Sequence, residues 1–519
     1  LPIAYLLWRT LGAGGEVWDL LFRSRTLAIL GRSVLLVAAV TAASTVIALP
    51  LAWLTTRTDL PLRRTLAILG ALPLVIPSYV AGLVVIAALG PRGLLQQMLE
   101  GPFGIERLPE IYGFPGALLT ITLISYPYVL LSLQGAMQGL DPSLEEASRS
   151  LGYGSWTTFR RVILPQLRPA IAAGALLVAL YTLHDFGAVS LLRYETFTWA
   201  IYLQYQTSFD RMGAAALSLV LIVIAIGILF VEFRTRGRVR YHRSTLGTAR
   251  PPSHTRLGRW RWPALAYVLL VVLLSLVMPM SVLGYWLGKG IAGTETFPGV
   301  LRATWNSSYV SLLAAGVTVL ASLPITILAV RYRGRTTLLL EGATYLGFAL
   351  PGIVIALSLV FFGANYVSIL YQTVPLLLMA YAILALPQSV GSIRASLLQV
   401  SPRVEEAARN LGRSPLGVLW SVTLPLVRPG VLAGAALVFL TTMKELPATL
   451  LLSPIGFRTL ATSIWSSSSE AFFARAALPA LILIGVSLVP MFFVVTRERG
   501  EGREALSREP SQAEKSVIQ

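Results

Sequence analysis

The strongest constraint on this chain is a succession of apolar runs, each close to the roughly 20 residues that carry an α-helix across a bilayer. Residues 214–231 (AAALSLVLIVIAIGILFV), 262–287 and 474–496 are among them. Lipid leaves backbone N–H and C=O groups without water, so only helices or closed barrels can span it. The runs lack the period-two alternation of a barrel wall. Charged residues make up 13% of the chain, against about 25% in soluble domains. The chain therefore reads as an all-α polytopic membrane protein.

Breaks at polar residues, proline and glycine predict spans near 33–56, 66–90, 115–137, 169–192 and 214–233. A second series follows near 262–287, 307–330, 338–362, 373–397, 429–452 and 474–496. A partial helix near 1–8 precedes both. Its surroundings, LPIAYLLWRTLGAGG, resemble MPMSVLGYWLGKGIAG at 278–293, with Pro2 against Pro279. That second copy closes a full span beginning near Trp262, so Leu1 is expected to fall partway through a first span, making about twelve.

The spans form two copies. Residues 145–171 (EEASRSLGYGSWTTFRRVILPQLRPAI) match 405–431 (EEAARNLGRSPLGVLWSVTLPLVRPGV) without a gap at a shift of 260 (406 − 146). Ser33–Ala52 matches Ser307–Thr326 at a shift of 274 (324 − 50), and the extra residues of the first copy fit the loop 91–116. Six spans per copy is an even number, so the copies run the same way, as parallel six-helix repeats. The expected domains are a first repeat, 1–233, a basic linker, 234–261, a second repeat, 262–496, and a polar tail, 497–519.

The net charge of +18 lies in short loops and termini, where it sets orientation. Arg57, Arg63, Arg64, Arg331, Arg333, Arg335, the linker from Arg234 to Arg261, and Arg497, Arg499 and Arg503 all fall on one side, with both polar repeated segments. The positive-inside rule makes that side cytoplasmic; Arg23, Arg25 and Arg32 oppose the bias without reversing it. No interleaving of basic and aromatic residues suggests nucleic acid. The linker reads as a flexible tether near anionic lipid. The chain has no cysteine, which excludes disulfides, thiolate metal sites and cysteine nucleophiles.

Each repeated segment reads as a helix–turn–helix. Asp141–Pro142 and Ser401–Pro402 start helices with a cap followed by proline. Glu145, Glu146, Glu405 and Glu406 then lie near a helix N-terminus, where the macrodipole favours acids. Ala147, Ser148, Ala407 and Ala408 keep one face small. Gly152 and Gly412 end the first helix. Leu164–Pro165 and Leu424–Pro425 are expected to interrupt the second, with Pro169 and Pro429 opening the next span. An amphipathic pair lying on the membrane without a partner is the plainer alternative.

Both segments resemble the EAA loop of permeases of ATP-binding-cassette importers. Glu146-Ala147-Ser148 with Gly152 and Ile163-Leu164-Pro165, and Glu406-Ala407-Ala408 with Gly412 and Thr423-Leu424-Pro425, follow that loop's order between the fourth and fifth spans of each half. Ser148 and Thr423 depart mildly. The resemblance implies that each loop docks on one copy of an ATPase subunit, two in all, with Glu145, Glu146, Ala147, Gly152, Glu405, Glu406, Ala407 and Gly412 as the coupling residues. It further implies a bacterial inner-membrane location, cytoplasmic loops, linker and tail, and an extracytoplasmic substrate-binding protein. No G-x-x-x-x-G-K-[ST] phosphate loop is present. The chain is thus expected not to be an enzyme and to bind no cofactor, with ATP and Mg on the partner subunits.

For cargo, Lys444-Glu445-Leu446-Pro447-Ala448-Thr449 through Ser453-Pro454, and Asp185-Phe186-Gly187 at the equivalent place (445 − 185 = 260), resemble ferric-iron permeases. Permeases for thiamine, phosphonate, sulfate or polyamine share the architecture. His184, Asp185, Lys444 and Glu445 are ionisable residues within the membrane, where charges are costly and face a cavity or a partner. They are candidates for the pathway or its gate, or for pairing between helices. Asp185 and Glu445 are also candidate oxygen ligands for a hard cation. A secondary transporter of two parallel halves is the rival class; its G-x-x-x-D-R-x-G-R type loop does not fit TTRTDLPLRRT after the second span. A membrane scaffold without transport leaves the repeated loops unexplained.

Overall fold

The computed structural model describes residues 22–104, 107–140, 142–207, 211–235, 255–332 and 334–507. The partial span near 1–8, Asp141, Arg333, linker residues 236–254 and tail residues 508–519 lie outside the described residues. Among the described residues the fold is helical throughout, and ten helices are long and apolar enough to cross a membrane. The one extended pairing is an isolated bridge between Thr58 and Thr255.

The first series of helices is α1 (Ser24–Arg57), α2 (Arg63–Ala71), α3 (Ser78–Leu89), α4 (Leu94–Phe103), α5 (Phe114–Gly139), α6 (Pro142–Ser150), α7 (Trp156–His184), α8 (Gly187–Leu191), α9 (Phe197–Gln206) and α10 (Arg211–Thr235). After α11 (Gly258–Ala292) the order recurs as α12 (Val300–Arg331), α13 (Arg335–Ala349), α14 (Gly352–Tyr366), α15 (Val374–Gln399), α16 (Pro402–Asn410), α17 (Pro415–Met443), α18 (Pro447–Leu452), α19 (Leu460–Ser469) and α20 (Phe473–Ser507). Between α1 and α10 only α4 lacks a counterpart among α12–α20, and it occupies the loop where the first copy is longer.

One pair of expected spans is broken. The span expected at 66–90 is α2 and α3, separated by a 3-10 turn at Leu72–Val75 and the extended Ile76–Pro77. The span at 338–362 is α13 and α14, separated at Leu350–Pro351. Pro73, Pro77 and Pro351 donate no backbone N–H, and Pro77 and Pro351 push the preceding Ile76 and Leu350 into extended backbone, while Pro73 sits inside the 3-10 turn. Pro50, Pro127, Pro324 and Pro387 stay inside helices. The spans expected at 169–192 and 429–452 begin earlier and end earlier, at His184 and Met443.

Packing divides the described chain into two compact units that do not coincide with the repeats. One contains residues 27–196, 224–288 and 495–507; the other contains 22–26, 197–223 and 289–494. In the first, α11 is held by Tyr267, whose hydroxyl donates to Ile47 O at 2.9 Å, and by Tyr126 Oη, 3.1 Å from Ser275 Oγ. In the second, Tyr202 of α9 meets the Trp465 ring edge-on at 5.9 Å between centroids. Buried hydroxyl pairs join spans within each unit: Ser44 to Ser125 at 3.2 Å and Ser322 to Ser389 at 2.7 Å. Such pairs supply directional contacts where lipid removes the hydrophobic drive between helices.

Candidate functional site

The two polar segments fold alike. Helices α6 and α16 end in a residue with positive φ, Gly152 at 83° and Gly412 at 85°. Gly152 N donates to Arg149 O and Tyr153 N to Ser148 O; Gly412 N donates to Arg409 O and Arg413 N to Ala408 O. This is the Schellman pattern, which satisfies the last carbonyls of a helix and needs a residue without a Cβ at its turn. At the other end Ser401 starts α16 as expected, but its side chain makes no capping bond.

The prolines after the turn do not interrupt the second helix. A π-helical turn, Phe159–Ile163 in α7 and Leu419–Thr423 in α17, immediately precedes Leu164–Pro165 and Leu424–Pro425. Leu164 N bonds to Phe159 O and Leu424 N to Leu419 O, five residues back. Widening the helix by one residue absorbs the N–H that proline lacks. Pro169 and Pro429 lie within continuous helices.

The paired acids divide between two directions. Glu146, Ala147, Glu406 and Ala407 are exposed, whereas Glu145, Ser148, Glu405 and Ala408 are buried. Residues three apart share a helix face, so 145 and 148, or 405 and 408, turn inward together. Arg57, the last residue of α1, lies 3.0 Å from Glu145, with the two side chains 2% and 7% exposed. Arg331, the last residue of α12, lies 3.1 Å from Glu405, with 12% and 7% exposed. Arg57 Nη2 also donates to Met137 O at 2.9 Å and Arg331 Nη2 to Val400 O at 3.1 Å. Each guanidinium thus joins one spanning helix, the end of another and the polar helix. The shift of 274 relates the arginines (331 − 57), and 260 relates the acids (405 − 145).

Sequence reasoning counted both arginines toward orientation and missed the pairing. Their matching place at the end of α1 and α12 was the available signal. It also discounted Ser148 and Thr423, yet both are engaged. Ser148 Oγ lies 2.9 Å from Thr158 Oγ1. Thr423 Oγ1 donates to Glu405 Oε1 at 3.0 Å. Exposed Leu151 and Trp156 beside the first segment, and Leu411, Leu416 and Trp420 beside the second, give the outward side an apolar margin.

Asp185 and Glu445 sit at helix breaks. Asp185 follows the last residue of α7, and its Oδ1 accepts from Ala188 N at 3.0 Å and Val189 N at 3.2 Å. Glu445 follows α17, and its Oε1 accepts from Ala448 N at 3.2 Å. The starts of α3 and α14 come against the same places. A Cβ on Gly187 would lie 2.7 Å from Ser78 Oγ, and one on Gly352 would lie 2.5 Å from Glu445 Oε1. Each carboxylate therefore stands where two helix N-termini converge, the end of the macrodipole that favours an anion. Tyr381 Oη lies 2.6 Å from Thr449 Oγ1, which in turn donates to Glu445 O at 2.6 Å, bracing the second break. No group of three or more potential metal-ligating His, Cys, Asp or Glu occurs among the described residues. The candidate ligands Asp185 and Glu445 each cap the short helix that follows.

The profile of binding-protein-dependent transport system inner membrane components matches residues 44–236 and again 319–499. The Fe(3+)-transport system permease protein FbpB 2 of Haemophilus influenzae is 37% identical over 498 residues, covering 95% of this chain and 95% of the relative. The ferric transport system permease protein FbpB of Actinobacillus pleuropneumoniae is 26% identical over 445 residues, 82% of this chain and 64% of the relative. The molybdenum transport system permease protein ModB of Escherichia coli K12 is 34% identical over 192 residues, 36% of this chain and 82% of the relative.

Proposed function

From the premise that this chain belongs to the binding-protein-dependent transport system inner membrane components, a family of transport permeases, we propose that it is the membrane subunit of a bacterial importer for ferric iron. An extracytoplasmic binding protein delivers the cargo, and ATP hydrolysis on two partner subunits at the cytoplasmic face drives its passage through the inner membrane. The carrying observation is that similarity to a ferric permease runs through 95% of both chains, whereas the molybdenum relative spans 36% of this one. The exposed Glu146, Ala147, Glu406 and Ala407 are the docking contacts, and the Gly152 and Gly412 turns set their presentation. Glu145 and Glu405 act behind them. His184, Asp185, Lys444 and Glu445 serve the pathway or its gate, with Asp185 and Glu445 capping the helices at the two breaks. ATP and Mg are bound by the partners and by no residue of this chain.

The test is uptake of ferric iron into proteoliposomes holding this chain with its ATPase, given ferric-loaded binding protein. Uptake should require ATP and raise hydrolysis when loaded binding protein is added. Uptake on an ion gradient without ATP would defeat the importer reading. ATP-driven uptake of a sulfate, thiamine, phosphonate or polyamine cargo, with iron left behind, would redirect the substrate and keep the class.

A further inference from the structure

Helix α6 is chained to α5 on one side and α7 on the other, so force applied to it reaches those two spans through the backbone. Helix α1 has no such link, since Glu145 stands 88 positions beyond Arg57 (145 − 57). The Arg57–Glu145 pair supplies one. The same argument holds for Arg331 of α12 and Glu405 of α16, at repeat-equivalent positions.

We propose that Arg57–Glu145 and Arg331–Glu405 are positioning pairs that make α1 and α12 move with the polar helices, carrying ATPase closure into spans that the backbone does not connect to them. The proposal rests on the importer reading above. Three observations support it. The first pair is buried and the second nearly so, and burying two charges is a poor way to stabilise a fold that apolar side chains could fill. Arg57 Nε and Arg331 Nε find no acceptor among the described residues, so neither pair is optimised as a static brace. Each arginine also holds the last turn of α5 or α15 through Met137 O or Val400 O, gathering three elements at one guanidinium. Breaking a pair would leave the docking face, which points the other way, unchanged.

The experiment uses the full chain with its ATPase and binding protein in proteoliposomes, with hydrolysis and uptake measured together. E145Q/E405Q keeps side-chain shape and removes both acids' charge. The ATPase should co-purify at the ratio found with the unaltered chain and basal hydrolysis should continue. Uptake per ATP hydrolysed should fall about tenfold, as loss of a coupling free energy requires. A second arm is independent of that variant: the chain has no cysteine, so R57C/E145C can be rejoined with a short thiol cross-linker. Uptake per ATP should be low with the thiols free and recover on cross-linking. An unaltered uptake per ATP in E145Q/E405Q, or a ratio indifferent to the cross-link, would overturn the proposal. Failure of the unaltered chain to bind the ATPase would instead count against the importer reading.

Discussion

In the first polar segment Ser148 and Thr158 pair their hydroxyls at 2.9 Å, while in the second the same positions are Ala408 and Val418. There the hydroxyl has moved to Thr423, which donates to Glu405 at 3.0 Å, and its counterpart in the first copy is Ile163. Each segment keeps a side-chain hydroxyl tie between its two helices, placed differently. The glycine turn, the π-helical turn and an arginine–glutamate pair recur in both. The turns and the ion pair are thus duplicated at equivalent positions, and the hydroxyl ties beside them are interchangeable.

The first pair is also better enclosed. Thr255 N donates to Arg57 O at 2.8 Å, Asp59 N to Thr255 O at 3.3 Å, and Leu257 N to Asp59 Oδ1 at 2.9 Å. The last residues of the linker therefore lie across the loop that follows Arg57, beyond what a flexible tether predicts. Arg57 is 2% exposed where Arg331 is 12%.

The largest expected effect follows from stranding those arginines. Glu145→Ala leaves the buried Arg57 without its partner, which costs about 3–5 kcal/mol, and Glu405→Ala leaves the 12% exposed Arg331 without its own. Thermal unfolding in detergent should show the larger loss for Glu145→Ala, since Arg57 has less access to water. Equal losses would mean that enclosure by the linker end has no energetic weight.

Next come the glycine turns. Gly152→Ala and Gly412→Ala place a Cβ at positive φ, at about 1–2 kcal/mol each. The two angles differ by 2° (85 − 83), so the losses in Tm should agree. A marked difference would break the claim that the turns are equivalent.

The smallest effect is the exchanged hydrogen bond. Ser148→Ala and Thr423→Val should each cost about 1 kcal/mol. The double variant should lose the sum, because the residues lie in separate segments and share no partner. Strong non-additivity in the same unfolding assay would show that the two braces communicate.

Much of this organisation was legible in the sequence, because membrane spans and repeats are written as length and spacing. Apolar run length located the spans, and an ungapped shift of 260 located both polar segments. The exchange of segments between compact units was not legible, since repeat boundaries follow duplication and packing follows contacts such as Tyr126 with Ser275. Broken spans were half visible: Pro73, Pro77 and Pro351 marked the places, but hydropathy ran straight through them. Pro165 and Pro425 misled in the opposite direction, because a π-helical turn lets the helix continue past a proline. Side-chain direction was the main loss. Glu145 and Glu146 are neighbours of identical chemistry, and only the position of Arg57 shows which of them faces inward.

The central claim is that one chain seats two ATPase copies on near-identical outward faces. Native mass spectrometry of the detergent-solubilised complex counts them directly. The unaltered chain should carry two copies, Glu146→Arg or Glu406→Arg alone one, and the double variant none, with the membrane subunit still monodisperse. Two copies retained on the double variant, or a single copy on the unaltered chain, would contradict it.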